Sequence, residues 1–310
     1  MKKSIYARTK KKINRLGFGA WQLGNTEFWG HMSLEEGVAL VKSAIRKGIH
    51  FFDTAPGYAS GVSETIIGIA IKDLREKVVI NTKFGHSADG TSDFSPSSMR
   101  ESIYESLERL QTTYLDSIVL HNPSMDILEG KTTHFEELQN LKNEGLIKAF
   151  GVSIDTAEEM ETTLNHINLD VIEILFNIFF QSPRHFFAKA KEKGVSIITK
   201  VPLDSGWLTG KYDEETHFEG IRSRWDDESL QRRGHLVRKL KTMTKSEDLT
   251  RYAIAFNLSF DAVTAVIPGI KNSKQLKQHL EYVDFVLDED IKKAFIELYN
   301  QDIKDNPLPW

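Results

Sequence analysis

Eight short apolar, β-branched runs recur along the 310 residues, each followed by a stretch with helical patterning. They are Arg15–Trp21, His50–Ala55, Val78–Phe84, Ser117–Asn122, Lys148–Ile154, Val171–Asn177, Ser196–Pro202 and Ala265–Gly269. A strand wetted on one face alternates apolar and polar residues. These runs are nearly continuously apolar, as strands covered on both faces of a parallel sheet must be. The segments between them carry helix signals. Ser33-Leu34-Glu35-Glu36 is a capping box, and Leu34, Val38, Val41 and Ile45 mark one apolar face. Ser95-Pro96 reads as an N-cap with proline at the first helical position, ahead of a Met99, Ile103, Leu107, Leu110 face. Asp155 with Glu158 reads as another helix start, and Gly48, Gly145 and Gly194 fall where helices end. Eight strand–helix repeats with no break in composition predict an α/β fold. A closed (β/α)8 TIM barrel, one domain over residues 1–310, is favoured over a doubly wound open sheet. Residues before Arg15 read as a short N-terminal hairpin capping the bottom. The connection after strand 7, Leu203 to about Lys245, is far longer than an ordinary βα loop and reads as a lid.

Charge and composition narrow the function classes. Forty Lys and Arg stand against 44 Asp and Glu, a formal net charge of −4, which speaks against a strongly basic nucleic-acid binder. The chain has no cysteine, so disulfides, thiolate nucleophiles and Cys-based metal sites are out. Met1-Lys2-Lys3 opens like a signal peptide, but Lys10-Lys11-Lys12 keeps the segment polar and no apolar region follows. The longest near-apolar run, Val171 to Phe180, is broken by Glu173 and Asn177 and is too short to cross a bilayer. The expectation is a cytoplasmic protein acting on a small molecule, with neither membrane nor nucleic acid as partner. Monomer and homo-oligomer stay open.

In a barrel, chemistry gathers at the C-terminal ends of the strands. The second run ends in Asp53, the third in Asn81-Thr82-Lys83, the fourth in His121, the fifth in Ser153 and the sixth in Asn177. An acid, a lysine and a histidine thus sit at matching depths on three consecutive strands, which lie about 5 Å apart. Tyr58 follows Asp53 on the next loop and can fold over the same rim. Any one of these residues alone is more often a salt bridge, a cap or a satisfied core residue. Together they can do specific chemistry. A buried Lys83 needs an anion, and Asp53 is the nearest candidate. An ammonium beside the Tyr58 phenol is expected to lower its pKa and ready it to exchange a proton with a carbonyl oxygen. His121 can orient the same oxygen.

These residues resemble the aldo-keto reductase superfamily over nearly the whole chain. Leu16-Gly17-Phe18-Gly19-Ala20-Trp21 is similar to the family's first-strand motif. Asp53-Thr54-Ala55-Pro56-Gly57-Tyr58 matches Asp-x-Ala-x-x-Tyr, and Ser63-Glu64 through Gly68 matches the helix that follows. Thr82-Lys83, Leu120-His121-Asn122-Pro123 and Gly151-Val152-Ser153 match further motifs. Pro202 through Tyr212 looks like the cofactor-covering loop, and Ile267-Pro268-Gly269 with Lys271 and Gln275 looks like the eighth-strand motif. The resemblance implies an oxidoreductase using NADP(H), with NAD(H) left open, on a carbonyl or alcohol. By carry-over Tyr58 is the acid/base, Lys83 and Asp53 tune it, and His121 orients the carbonyl. Cofactor contacts are implied for Gly19, Ala20, Trp21, Ser153, Glu173, Lys200, Pro202, Leu203, Ser205, Gly206, Leu208 and Lys211. They are also implied for Ile267, Pro268, Gly269, Lys271, Gln275, Gln278 and His279, with Lys271 at the 2′-phosphate.

The chain departs from the family pattern at several of these positions. Glu173 stands where Gln is common, Ile154 where Asn often follows the serine, and Lys200 where an aromatic stacks on the nicotinamide. Gln278-His279 replaces a Glu-Asn pair, and Gln275 replaces an Arg. Trp21, Trp29, Tyr58, Phe84, Trp207 and Trp225 read as substrate-pocket residues. Arg222, Arg224, Arg232 and Arg233 could attract an anionic substrate, but the interleaved Asp226, Asp227 and Glu228 favour a solvated face. Gly206 to Lys211 is one residue short of a Walker loop and Tyr212 replaces its Ser/Thr, and no metal-ligand spacing stands out. Two rival readings accompany the reductase: a cofactor-sensing regulatory subunit resembling channel β-subunits, and an epimerase or dehydrogenase acting on sugars or inositols.

Overall fold

A computed structural model describes residues 3–9 and 11–310; Met1, Lys2 and Lys10 of the basic N-terminal reading lie outside the described residues. Strands β1 (Lys3–Ile5) and β2 (Lys12–Asn14) form the antiparallel hairpin expected before Arg15. The barrel strands are β3 (Phe18–Gly19), β4 (Phe51–Asp53), β5 (Val79–Phe84), β6 (Ser117–His121), β7 (Phe150–Ile154), β8 (Val171–Leu175), β9 (Ser196–Lys200) and β10 (Val263–Val266). They pair in parallel in chain order. Parallel bridges Leu16↔Val266 and Gly19↔Gly269 join the first strand to the last, so the sheet closes as a barrel.

The period of two divides each strand between two cores. Outward residues such as Phe52, Ile80, Leu120 and Ile172 belong to the large core shared with the helices. The helices are α1 (Leu34–Arg46), α2 (Val62–Ile71), α3 (Met99–Arg109), α4 (His134–Glu144), α5 (Ala157–His166), α6 (Phe187–Glu192), α7 (Asp227–Thr244), α8 (Thr250–Leu258), α9 (Ser273–Tyr282) and α10 (Glu289–Asp302). Inward residues Phe51, Val79, Val119, Ala149, Val171, Ile198 and Ala265 form a second core with Tyr6, Ala7 and Ile13 of the hairpin. The hairpin therefore plugs the bottom of the cylinder and leaves its upper half to polar side chains.

Local signals place two helix starts differently from the sequence reading. The capping box at α1 forms as expected, with Ser33 and Glu36 reciprocating. At α5 the N-cap is Thr156, boxed with Glu159, not Asp155 with Glu158. The carboxylate of Asp155 goes instead to Lys200, 2.9 Å away. Ser95 and Pro96 form a turn that precedes α3, which begins at Met99.

The long connection after β9 is an ordered lid. It carries 3-10 turns at Asp204–Thr209 and Gly220–Arg224, then the 18-residue α7. Arg233, expected on a solvated face, is fully buried. Its Nε lies 3.1 Å from Asp204 and its Nη2 donates to the carbonyl of Pro309 at 2.7 Å. The partner that draws it in lies 29 residues away, so no local pattern announces the pair. Removing one member of a buried pair strands the other charge. We therefore expect Arg233→Met to lower unfolding free energy in urea by about 3–5 kcal/mol, with Asp204→Asn in the same chain recovering part of it. An Arg233→Met loss below about 1 kcal/mol would show that the lid is not anchored there.

Candidate active site

Above the apolar floor the inward positions of the barrel turn polar. Lys83, almost wholly buried on β5, donates to Asp53 Oδ1 at 2.7 Å and to the Thr54 carbonyl at 2.9 Å, and its Nζ lies 3.6 Å from Glu173 Oε2. Asn81, one inward step below, donates from Nδ2 to Asp53 Oδ2 at 2.7 Å and to Glu173 Oε2 at 3.2 Å. The Asn81 carbonyl accepts from Ser117 at 2.6 Å, and Ser117 meets the Tyr6 hydroxyl of the bottom plug at 2.5 Å. Ser153 donates to Glu173 Oε1 at 3.1 Å and accepts from Lys200 at 2.9 Å. The Tyr58 ring sits with its centroid 4.9 Å from Lys83 Nζ and 6.4 Å from the His121 ring, edge-on. Asp53, Tyr58, Lys83 and His121 thus converge at one mouth of the barrel.

Two buried carboxyl groups facing one lysine set the electrostatics. Burial opposes charge on Lys83, but Asp53, Glu173 and Tyr58 outweigh it and hold the lysine above its ordinary range, so it stays an ammonium. Asp53 is pushed up by burial and by repulsion from Glu173, against the pull of Lys83. For Glu173 burial is overcome by Lys83 and Lys200, which keep it ionised. The two carboxyls titrate as a unit that retains one proton beyond the ordinary carboxylate range. Tyr58 differs from the sequence expectation. Burial raises its pKa, and the two carboxyls reinforce that rise against Lys83, so the phenol keeps its proton at neutral pH. Such a phenol is an acid in waiting. His121 is held well below its ordinary range by burial, then by Lys83, Lys200 and His86, and is therefore a neutral imidazole.

The remaining positions sort by what their side chains touch. Ser63 and Glu64 are buried behind the strands. Glu64 accepts from Thr82 at 2.6 Å and from Arg109 at 2.7 Å, and Ser63 donates to the Ala20 carbonyl at 3.0 Å, so this motif fixes the strand ends. Trp21 and Trp29 stay partly exposed and pack edge-to-face at 5.4 Å. Phe84 is buried against Phe94. Trp207 and Trp225 are buried inside the lid with Tyr212 and Phe218, away from open surface. Gln275 caps the Lys271 amide at 2.9 Å, Gln278 donates to Asp248 at 3.3 Å, and His279 is buried.

A seam between lid and barrel gathers left-handed backbone and cations beside the tetrad. Gly19 lets the first barrel strand close on the last, since a Cβ there would stand 2.8 Å from the Ile267 carbonyl. Val201, Asp204, Ser205 and Gly206 all have positive φ, a run of strained backbone of the kind that clamps ligands. Arg222 donates to the Ser205 carbonyl at 2.9 Å and lies 4.4 Å over the Trp29 ring. Arg224 reaches Ser205 Oγ at 3.2 Å, Lys211 lies 4.5 Å over Tyr212, and Lys271 reaches the Trp29 carbonyl at 3.4 Å. Four cations thus border one seam between lid and barrel, a local excess of positive charge. Among the described residues no cluster of His, Asp and Glu is arranged to hold a metal ion.

Sequence reasoning gave no role to Asn81 or His86 and assigned the two lid arginines at this seam to a solvated face. Asn81 had a signal, since it lies two residues before Lys83 on the same strand face. His86 packs edge-on to His121 at 4.9 Å from an irregular loop and had none.

A parallel eight-stranded barrel with a phenol, an ammonium, an imidazole and a carboxylate at its C-terminal mouth defines a class of barrel oxidoreductase. The chain belongs to the aldo/keto reductase family, whose sequence model matches residues 15–300. It is similar to L-galactose dehydrogenase of Arabidopsis thaliana, at 28% identity over 89% of this chain and 86% of that one. It is also similar to the NADH-specific methylglyoxal reductase of Escherichia coli strain K12, at 31% identity over 68% of this chain and 70% of the other. Among solved structures, the holo form of aldo-keto reductase AKR11C1 from Bacillus halodurans shares the fold with a TM-score of 0.81, at 24% identity and 96% coverage of both chains. The chain is therefore an oxidoreductase of this family, whose members typically depend on NAD(P)H. Among the described residues no helix is long and apolar enough to cross a membrane.

The neutral state of His121 is directly measurable. An unfolded chain takes a proton on histidine near 6.5, so a site that refuses it is stable above that pH and loses stability as pH falls through it. We expect the His121 ring to titrate below 6.5 by NMR. A midpoint at or above that value would put an imidazolium at the mouth instead.

Proposed function

We propose that this protein reduces the carbonyl of a small aldehyde or ketone, sugar-like substrates included, to an alcohol, with NADP(H) as cofactor. One observation carries the reading: a protonated Tyr58 beside an ammonium locked between two buried carboxyls, with a neutral imidazole across from it. When bound, NADP(H) would supply the hydride for the carbonyl carbon. This chain's residues do the rest. Tyr58 gives its phenolic proton to the substrate oxygen. Lys83, held fast, steadies the phenolate left behind. His121 donates a neutral N–H hydrogen bond to the same oxygen and orients it. Ser153, Glu173 and Lys200 would wall the nicotinamide end. Ser205, Lys211, Arg222 and Arg224 would hold the pyrophosphate, and Lys271 the 2′-phosphate. Trp21 and Trp29 flank the mouth and suit the apolar part of a small substrate.

Tyr58→Phe is expected to lower turnover of a carbonyl substrate by about 10²–10⁴-fold while NADPH binding stays within about twofold. Parent-like turnover would remove Tyr58 as the acid. Preference for NADP(H) rests on Lys271 alone, and the Escherichia coli relative named for NADH makes the question sharp. Lys271→Ala should weaken NADPH by about tenfold and NADH by less than about twofold in fluorescence titrations, the loss of one charged phosphate contact. Equal losses for the two cofactors would argue against that contact.

A further inference from the structure

Glu173 is more acid than a structural account needs. Asp53 and the Thr54 carbonyl already partner Lys83, yet a second buried carboxyl lies against the same ammonium. A buried charge costs several kcal/mol, so a surplus one calls for a purpose. Its hydrogen bonds supply a direction. Lys200 donates to Ser153 at 2.9 Å, and Ser153 donates to Glu173 Oε1 at 3.1 Å. The two carboxyls are near enough to hydrogen-bond to one another when one is protonated. Asp53 receives Lys83 at 2.7 Å, and Lys83 lies under the Tyr58 ring. Asn81 keeps the carboxyls in line, because Ser117 occupies its carbonyl and leaves only its amide to face them. Ser153, Glu173, Asp53 and Lys83 are buried, while the Lys200 side chain is 13% exposed and pairs with the 28% exposed Asp155 at the rim. One end of this chain of groups is wet and the other touches the phenol.

We propose that Lys200, Ser153 and Glu173 form a proton path through the barrel wall that restores, by way of Asp53 and Lys83, the proton Tyr58 gives to substrate. The inference rests on the reductase reading above. After the substrate oxygen takes the Tyr58 proton, an N–H bond of Lys83 breaks and the Tyr58 O–H re-forms. Lys83 takes the proton shared by Asp53 and Glu173. Glu173 takes the hydroxyl proton of Ser153 as Ser153 takes one from Lys200, and water at the rim restores Lys200. Each step breaks one N–H or O–H bond and forms another, with no change of oxidation state. The path enters at the rim through Lys200 and reaches Lys83 through buried groups. The charged and titratable groups facing Glu173 are Asp53, Tyr58, Lys83 and Lys200 around the mouth and Tyr6 from below.

Glu173→Gln and Lys200→Met separate proton supply from the rest of the reaction, with Ser153→Ala as a further variant should either fold poorly. At NADPH concentrations that saturate each variant, the first turnover, followed by stopped-flow loss of NADPH absorbance, is expected to outrun that variant's own later turnovers by about tenfold, a gap the parent lacks, because Tyr58 starts protonated. Steady-state turnover is expected to fall by about tenfold or more, with methylammonium restoring part of the Lys200→Met rate. In the protein without cofactor, the infrared band of a protonated carboxyl, present at about pH 6 and lost by about pH 9, should disappear in Glu173→Gln. Equal slowing of first and later turnovers would overturn the path and leave Glu173 a positioning residue for Lys83. Parent-like steady-state rates, or an infrared band unchanged by Glu173→Gln, would overturn it as well. If the parent turns over no carbonyl substrate, or Tyr58→Phe stays active, it is the reductase reading that fails, and the infrared band still reports on the shared proton.

Discussion

An ammonium sealed inside an apolar cylinder is the constraint to which the rest of this structure answers. Lys83 is nearly inaccessible, and a lone buried charge of this kind would lose its proton or unfold the chain. Asp53, Glu173 and the Thr54 carbonyl prevent both outcomes, and each has a backer of its own. Asn81 holds both carboxylates, Ser117 holds Asn81, and Tyr6 holds Ser117 from the plugged floor. A polar column thus runs from the N-terminal hairpin to the mouth, with every link between 2.5 and 3.2 Å. The hairpin that looks like a lid on the bottom is the lower support of the chemistry at the top.

The lid follows the same logic at a second site. Asp204 sits in a run of left-handed backbone that an isolated loop would relax. Burying Arg233 against it ties that run to α7, and the bond from Arg233 to Pro309 ties both to the end of the chain. The backbone held this way presents Ser205 to Arg222 and Arg224, so the cations of the seam depend on a salt bridge that never meets solvent.

Much of this was legible because a barrel strand has only two faces. Once the eight apolar runs are read as strands, the residues that break them, Asp53, Lys83, His121 and Ser153, must point inward near the top. Asn81 follows from the same alternation, two residues before Lys83. What sequence could not show depends on partners far along the chain. Asp155 looks like a helix cap, but Lys200, 45 positions on, takes its carboxylate and passes capping to Thr156. Arg233 looks like one of several surface arginines until Asp204 draws it inward. The proton affinity of Tyr58 reversed for a similar reason. Lys83 alone would lower it, but burial of the phenol raises it further, with Asp53 and Glu173, 115 positions away, adding to the rise.

The two family departures at this wall, Glu173 and Lys200, make physical sense only together. Glu173 in place of a neutral amide adds a negative charge to a site already holding Asp53. Lys200 in place of an aromatic ring adds a positive one, and Ser153 joins them. Asp155 then closes the outer side of Lys200. Among the buried groups two carboxyls, Asp53 and Glu173, face one ammonium, Lys83, so that core is neutral only while it retains a proton. Burial demands that neutrality, since an uncompensated charge in this cylinder has no water to screen it. A proton retained for electrostatic reasons, on groups hydrogen-bonded from the rim to Lys83, is already where the proposed reduction would need one after each turnover.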